Sequence, residues 1–356
     1  MKIILATGGS GGHIFPALKT AQRLRSQGHE VHFFGALRFA EDKLKKADFP
    51  FVILDVDGFN SKALTAMVSF AFLMSKAVVR CLGMLRSFKP QVVVGFGSYS
   101  SFPVILAAWL LRIPTLVHEQ NMVPGKANRW SFHLARRVGI TFEETGKYLS
   151  HRDVIWTGCP CNSERSGELK MSLLEKFHLQ PRRMTILVLG GSQGSRYLNE
   201  AFFEAIPYLQ SGRDIQVIHM TGRTDYSLYA EKYLHLNIPY HVCSFLDHIQ
   251  DAYSVADVVV ARAGAGTVCE IAAFGLPSVL VPYPFAHGHQ TANAKVLAQA
   301  GAAIIIEQCD LSRSKMVEAI ESLSSLTHQA VRERVQSFFV QDPTERLVEA
   351  IVSLKT

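Results

Sequence analysis

The chain has 356 residues, of which 48% are hydrophobic and 19% charged. That is more than one hydrophobic core usually holds, so about two domains are expected and bulk disorder is excluded. The formal net charge of +7 favours an anionic partner such as phosphate, a membrane surface or nucleic acid, while six cysteines without a C-x-x-C pair argue against a disulfide framework or a zinc site and fit a reducing cytosol.

The first apolar run, residues 2–6, is too short for a signal peptide and reads as a buried strand. It ends in Gly8-Gly9-Ser10-Gly11-Gly12, followed directly by His13. Further buried strands are expected at 30–34, 51–55, 91–94, 115–118 and 137–141, with helix-length segments between most of them. This alternation predicts a doubly wound α/β domain. Residues 63–75 are apolar nearly all round a helix, too few for the roughly 20 residues that span a bilayer. With Lys62, Lys76, Arg80 and Arg86 beside them, they are expected to rest on a membrane surface, whereas the apolar run 102–111 is expected to be a core helix. After 155–157 the turn Gly158-Cys159-Pro160-Cys161-Asn162 and the polar run 163–170 mark the interdomain crossing. A second alternation has strands expected at 185–189, 214–219, 241–243, 257–260, 278–281 and 302–306, the first ending in Gly190-Gly191-Ser192-Gln193-Gly194. Near the end, Asp342-Pro343 reads as a helix start with a capping carboxylate.

A strand that runs into a glycine turn and then a helix presents backbone N–H groups to an anion. The first loop is a poor dinucleotide fingerprint, because Ile14 stands where the third glycine belongs and the second strand ends without an acidic ribose ligand. Neither loop is a G-x-x-x-x-G-K-[ST] phosphate loop. His13, at a helix start, reads either as a neutral ring able to accept a proton or as a cap of its own helix. In residues 256–270 a strand enters Gly264-Ala265-Gly266-Thr267, whose amides and hydroxyl suit a diphosphate, and Glu270 lies one turn on, where a carboxylate accepts ribose hydroxyls. The alternative is a small-residue turn with a solvated glutamate. In the loop 282–293, His287 and His289 lack a third metal ligand nearby, and Gln290 is the better candidate for bonding a sugar.

The motifs Thr7-Gly8-Gly9-Ser10-Gly11-Gly12-His13-Ile14-Phe15-Pro16-Ala17, His118-Glu119-Gln120-Asn121 with Pro124-Gly125, Gly190-Gly191-Ser192-Gln193-Gly194-Ser195, Arg262-Ala263-Gly264-Ala265-Gly266-Thr267 with Glu270, and His289-Gln290-Thr291-Ala292-Asn293-Ala294 run through both halves in one order. Together they resemble the MurG-type transferases of glycosyltransferase family 28. The resemblance implies an α/β GT-B fold of two Rossmann-like, doubly wound domains facing a cleft. Residues 1–160 would face acceptor and membrane, 161–340 would bind UDP-N-acetylglucosamine (UDP-GlcNAc), and 341–356 would carry a helix crossing back to the first domain. The implied activity is inverting transfer of GlcNAc to the C4 hydroxyl of N-acetylmuramic acid in lipid I, forming lipid II of peptidoglycan.

Carried over by position, the implied donor contacts are Ser10, Gly11, Gly12, Asn121, Ser192, Leu246, Ala265, Gly266, Thr267, Val268, Cys269, Glu270 and Gln290. Leu246 would meet uracil through its backbone, Glu270 the ribose, Ser192 and the amides of 265–267 the diphosphate, and Asn121 and Gln290 the sugar. Asn162 stands where the family commonly has an arginine on the donor, with Arg165 nearby as its substitute, and Gly97-Ser98-Tyr99 replaces the usual Gly-Gly-Tyr. His13 is the first choice for general base and Glu119 the second. Departing UDP would be stabilised by helix-start amides, with neither metal nor cofactor called for, so Asp55-Val56-Asp57 reads as incidental. Implied partners are UDP-GlcNAc, lipid I, an anionic membrane surface and the cell-wall and division machinery, at the cytoplasmic face of the bacterial inner membrane as a peripheral protein. Nucleic acid is not among them, since charge lacks interleaved aromatics. A nucleotide-sugar epimerase of the same architecture and an inactive cell-wall scaffold are the competing readings.

Overall fold

The structure, a computed structural model, describes residues 1–54, 56, 64–164, 167–191, 193–286 and 288–355, with the backbone alone for 64–70. Asp55, Asp57, Lys62, Arg165, Ser192 and His287, each singled out above, lie outside the described residues. The chain divides into two compact units, Met1–Cys161 with Val340–Thr356, and Asn162–Phe339.

In the first unit the strands are β1 (Lys2–Gly8), β2 (Glu30–Ala36), β3 (Phe51–Ile53), β4 (Val92–Gly95), β5 (Thr115–Glu119), β6 (Arg137–Ile140) and β7 (Val154–Trp156). They form a parallel sheet in the order β3-β2-β1-β4-β5-β6-β7. Successive side chains of β1 go to opposite faces, and both faces are covered, which is why the strand is an unbroken apolar run. Ile3 and Leu5 pack with Ile14, Ala17 and Leu24 of helix Gly11–Ser26, whereas Ile4 and Ala6 pack with Cys81 and Leu85 of helix Leu64–Phe88 and Ile105 of helix Phe102–Leu110.

The C-terminal helix Pro343–Val352 belongs to this unit and joins the first of those faces through Leu347, Val348 and Ile351. Glu345 pairs with Arg23, whose guanidinium holds the carboxyl below its usual range, and Arg137 donates to Ala350 O at 2.9 Å and Ser353 Oγ at 2.7 Å. Asp342 is the N-cap residue, but its φ is +51° and its side chain makes no cap bond, so proline at the first turn rather than a capping carboxylate marks this start.

Helix Leu64–Phe88 extends well beyond the apolar stretch of the sequence. It buries Ala77, Cys81 and Leu85, four residues apart, and leaves Phe72, Leu73 and Val79 exposed beside exposed Lys76 and Arg80. Among the described residues no helix is long and apolar enough to cross a membrane. The expected core helix at 102–111 buries Val104, Ile105, Ala107 and Ala108, but its last turn exposes Trp109 and Leu110.

The second unit contains β8 (Met184–Leu189), β9 (Ile215–Met220), β10 (Tyr240–Cys243), β11 (Val258–Ala261), β12 (Ser278–Leu280) and β13 (Ala303–Ile305). Its parallel sheet has the order β10-β9-β8-β11-β12-β13, with Ile186, Val188 and Val217 packed on Phe202, Ile206 and Ile320. In each sheet the strand order reverses once, between β1 and β4 in the first and between β8 and β11 in the second. The crevice outside the carboxyl ends of strands at such a reversal is where open α/β sheets bind ligands.

Candidate active site

At the first reversal, the loop after β1 delivers His13 in the opening turn of helix Gly11–Ser26. Ser10 caps this turn only through its carbonyl, which accepts from His13 N and Ile14 N at 3.0 Å each, and Gly12 has open space around it. The half-buried His13 ring does not cap its helix. Its Nδ1 lies 3.1 Å from Gln120 Oε1. Gly97, in the loop after β4 with φ +89°, lets the ring approach: a Cβ there would meet His13 Cε1 at 3.1 Å and Nδ1 at 3.2 Å. Its neighbour Ser98 also has a left-handed backbone, φ +73°, which explains physically why glycine is the usual residue of the resemblance there.

β5 supplies the rest. Alternation along an extended chain sends His118 and Gln120 to one side and Glu119 to the other. Glu119 is 1% exposed, and its Oε1 accepts from Asn121 N at 2.8 Å and Asn121 Nδ2 at 3.3 Å, while Oε2 accepts from Gly125 N at 3.0 Å and Asn128 Nδ2 at 2.9 Å. The carboxylate therefore folds the loop that carries Asn121. His118 is wholly buried, and desolvation pushes its pKa down to about 4 against the opposing effect of a bond from Nε2 to Gly158 O at 2.9 Å.

At the second reversal, the two glycine-rich turns differ in use. A Cβ on Gly190 would meet Ser195 N at 2.7 Å, and one on Gly194 would meet Thr221 O at 2.3 Å and the Gly222 Cα at 3.0 Å. These glycines allow two loops to cross rather than a ligand to approach. After β11, by contrast, helix Ala265–Phe274 starts at Gly264, whose carbonyl accepts first from Val268 N at 2.9 Å. The N–H groups of Ala265, Gly266 and Thr267 thus precede the first intrahelical bond, and Gly266 has open space around it, as an anion site at a helix start requires. Val268 and Cys269 turn their side chains into the core, so contact from these two would be through backbone.

Glu270 is half-buried one turn on. Its Oε1 accepts from Asn162 Nδ2 at 3.1 Å and Asn162 N at 3.4 Å, and its Oε2 from Tyr253 Oη at 3.1 Å. Asn162, at the position the resemblance gives to a donor-binding arginine, here orients a carboxylate. Gln290, at the start of helix His289–Gln299, accepts at Oε1 from Ala263 N at 3.2 Å and Tyr283 N at 2.9 Å, which leaves its amide nitrogen as the group it offers. Arg262 is consumed by structure, donating to Val281 O, Pro282 O and Gln308 Oε1. Leu246 lies in the loop beyond β10 with its side chain buried. The residues that sequence reasoning left without a role are His118, Gln120 and Gly97; the period-two alternation through β5 is the signal that separates the first two from Glu119.

The sequence pattern of the glycosyltransferase family 28 N-terminal domain matches residues 3–140, and that of the family 28 C-terminal domain matches residues 185–347. A protein of Thermodesulfovibrio yellowstonii named UDP-N-acetylglucosamine--N-acetylmuramyl-(pentapeptide) pyrophosphoryl-undecaprenol N-acetylglucosamine transferase is 37% identical over 328 residues, 91% of this chain and 90% of the relative. A protein of the same name from Coxiella burnetii strain Dugway 5J108-111 is 38% identical over 326 residues, 91% of this chain and 89% of the relative. The crystal structure of Acinetobacter baumannii MurG superposes with a TM-score of 0.78 at 29% identity, covering 99% of each chain.

Proposed function

The chain belongs to glycosyltransferase family 28, and from that premise we propose that it transfers GlcNAc from UDP-GlcNAc to the C4 hydroxyl of N-acetylmuramic acid in lipid I. The observation that carries this reading is the pair of unlike ligand-ready features at the two strand-order reversals. One is an imidazole whose Nε2 has no partner among the described residues; the other is a helix start with free amides and a half-buried carboxylate behind it.

In the second unit, the amides of residues 265–267 take the donor diphosphate, Glu270 accepts the ribose hydroxyls, and the Gln290 amide nitrogen donates to the sugar. In the first, His13 Nε2 takes the proton of the C4 hydroxyl as its oxygen bonds to the anomeric carbon. The bond from that carbon to UDP breaks as the new one forms on the opposite face. The α donor yields a β(1→4) product, and charge gathering on the leaving diphosphate falls on amides already aimed at it. His13 is preferred to Glu119 because both Glu119 oxygens already hold a loop.

A lipid-borne acceptor requires the enzyme at a membrane. Exposed Phe72, Leu73 and Val79 beside Lys76 and Arg80 support peripheral contact with an anionic surface, assigned here to the cytoplasmic face of the inner membrane. The decisive test is radiolabelled GlcNAc transfer. Label should enter the lipid fraction only when lipid I is present; UDP release or an epimer formed from UDP-GlcNAc alone would replace this reading with an epimerase.

A further inference from the structure

The general base of the proposed reaction needs its lone pair on the correct nitrogen, and neutral imidazole has two tautomers. Hydrogen-bond polarity in the first unit decides which is present. Gln120 is 1% exposed, and one of its amide atoms lies 3.1 Å from His118 O and 3.0 Å from His118 Nδ1. A backbone carbonyl can only accept, so that amide atom is the NH2 nitrogen and the other, Oε1, faces His13. An amide oxygen can only accept in turn, and therefore the His13 Nδ1 at 3.1 Å carries the proton.

The far end of the chain of bonds is equally directed. His118 Nε2 is 2.9 Å from Gly158 O, another obligatory acceptor, so the one proton of this neutral buried ring sits on Nε2. His118 Nδ1 is then an acceptor, and both NH2 protons of Gln120 are used, one on that nitrogen and one on His118 O. Gly158 cannot easily shift. Its φ is +74°, and a Cβ there would meet Pro343 and Val340 of the returning C-terminal segment at 2.8 and 2.9 Å.

We propose that Gln120, held by His118 and the Gly158 carbonyl, is a positioning residue that fixes His13 as the Nδ1–H tautomer and so directs the basic lone pair of Nε2 outward. This rests on His13 being the base. A free imidazole side chain favours the opposite tautomer, with its proton on Nε2, which would have nothing to accept with at the reacting hydroxyl. The arrangement resembles the orienting partner of a catalytic histidine in a hydrolase triad, except that a neutral amide takes the place of the carboxylate. The ring is oriented without the added attraction for a second proton that a carboxylate would supply.

The test is a two-bond 1H–15N correlation spectrum of histidine-labelled protein above the titration of the ring, with the His13 signals identified by their loss in His13→Ala. The wild-type pattern should be that of an Nδ1–H ring. In Gln120→Met the pattern should move toward Nε2–H, and kcat should fall about tenfold with the KM for UDP-GlcNAc unchanged. An Nε2–H pattern in the wild type overturns the proposal without any variant having to fold. So does a Gln120→Met protein that keeps the Nδ1–H pattern, or one that changes tautomer yet keeps its kcat. If His13→Ala itself turned over normally, the base reading would fail while the tautomer assignment stood.

Discussion

The two units use one sheet design and put opposite demands on their glycine-rich turns. After β1, Gly12 stands in open space and the turn hands the chain to His13, a reactive side chain; after β8, Gly190 and Gly194 are filled in by Ser195, Thr221 and Gly222, and ligand-ready backbone appears instead after β11. The same motif thus serves access in one copy and loop packing in the other. A glycine loop announces close approach, and only the neighbouring strand decides whether what approaches is a ligand or protein.

This division predicts that damage in the first unit falls on turnover and damage in the second on donor affinity. The largest effect should come from His13→Ala, which is expected to lower kcat by about 100- to 10,000-fold, the usual span for a general base, with the KM for UDP-GlcNAc little changed. Steady-state transfer kinetics measure both constants; a raised KM at normal kcat would assign His13 to donor binding and dissolve the contrast.

Glu270→Ala should show the reverse pattern. Loss of a charge-assisted bond to ribose, worth about 1.5–3 kcal/mol, corresponds to a KM for UDP-GlcNAc raised by roughly 10- to 100-fold with kcat less affected. Asn162 and Tyr253 bond this carboxylate, so a calorimetric check that the variant keeps its folding transition belongs with the assay. An unchanged KM would show that the carboxylate only closes that internal network.

Each unit also buries one histidine completely, and here the copies can be compared by pH. His118 is held near 4, chiefly by desolvation, and His219, enclosed by Tyr233 Oη at 3.0 Å and Asn199 Oδ1 at 3.1 Å, is held near 3 for the same reason. Both lie below the ordinary value of 6.5, so above that pH neither ring takes up a proton in either state and their contribution to stability is constant. As pH falls below 6.5, unfolded chains bind protons that the folded rings refuse, and stability drops at up to about 1.4 kcal/mol per pH unit for each ring. Urea midpoints should therefore fall from pH 7 to pH 5; a midpoint that rose over that interval would mean that at least one ring gains a stabilising charge on folding.

How far the sequence foretold these differences depends on what a local pattern can encode. Strands buried on both faces are apolar runs between turn residues, so β1 and β8 were plain, and the glycines after them marked close approaches. Short edge strands were less so. Residues Val154–Trp156 become a seventh strand only because β6 offers them an open edge. In the site, His13 and Glu270 were visible from their helix starts, but the His118, Gln120 and Gly158 chain joins residues up to 40 positions apart and exists only once the sheet has formed. Glu119 could be recognised as chemically able to act as a base, yet nothing local showed that Asn121, Gly125 and Asn128 would take up both its oxygens. Asp342 had the composition of a cap and acquired a left-handed backbone instead, because the returning segment is fixed by its packing beside Gly158.

The smallest predicted effect concerns the turn that flanks His13. Ser98 holds a φ of +73°, which costs a non-glycine residue roughly 1–2 kcal/mol. Ser98→Gly removes that strain but gives up weak bonds from its Oγ to Ser100 at 3.3 and 3.5 Å, together with the cover that the side chain gives Gly8, whose missing Cβ would stand 2.6 Å from it. It also frees the unfolded chain, an opposing change of about 0.4–1 kcal/mol. The net gain should be about 0.5 kcal/mol, a rise of roughly 1–2 °C in the melting temperature of the first unit, with the second unit's transition unmoved. Differential scanning calorimetry of both transitions measures this directly. A lower first transition would mean that Ser98 is kept for its contacts over Gly8, and that this rim of the first site, like the loop after β8, is built by packing.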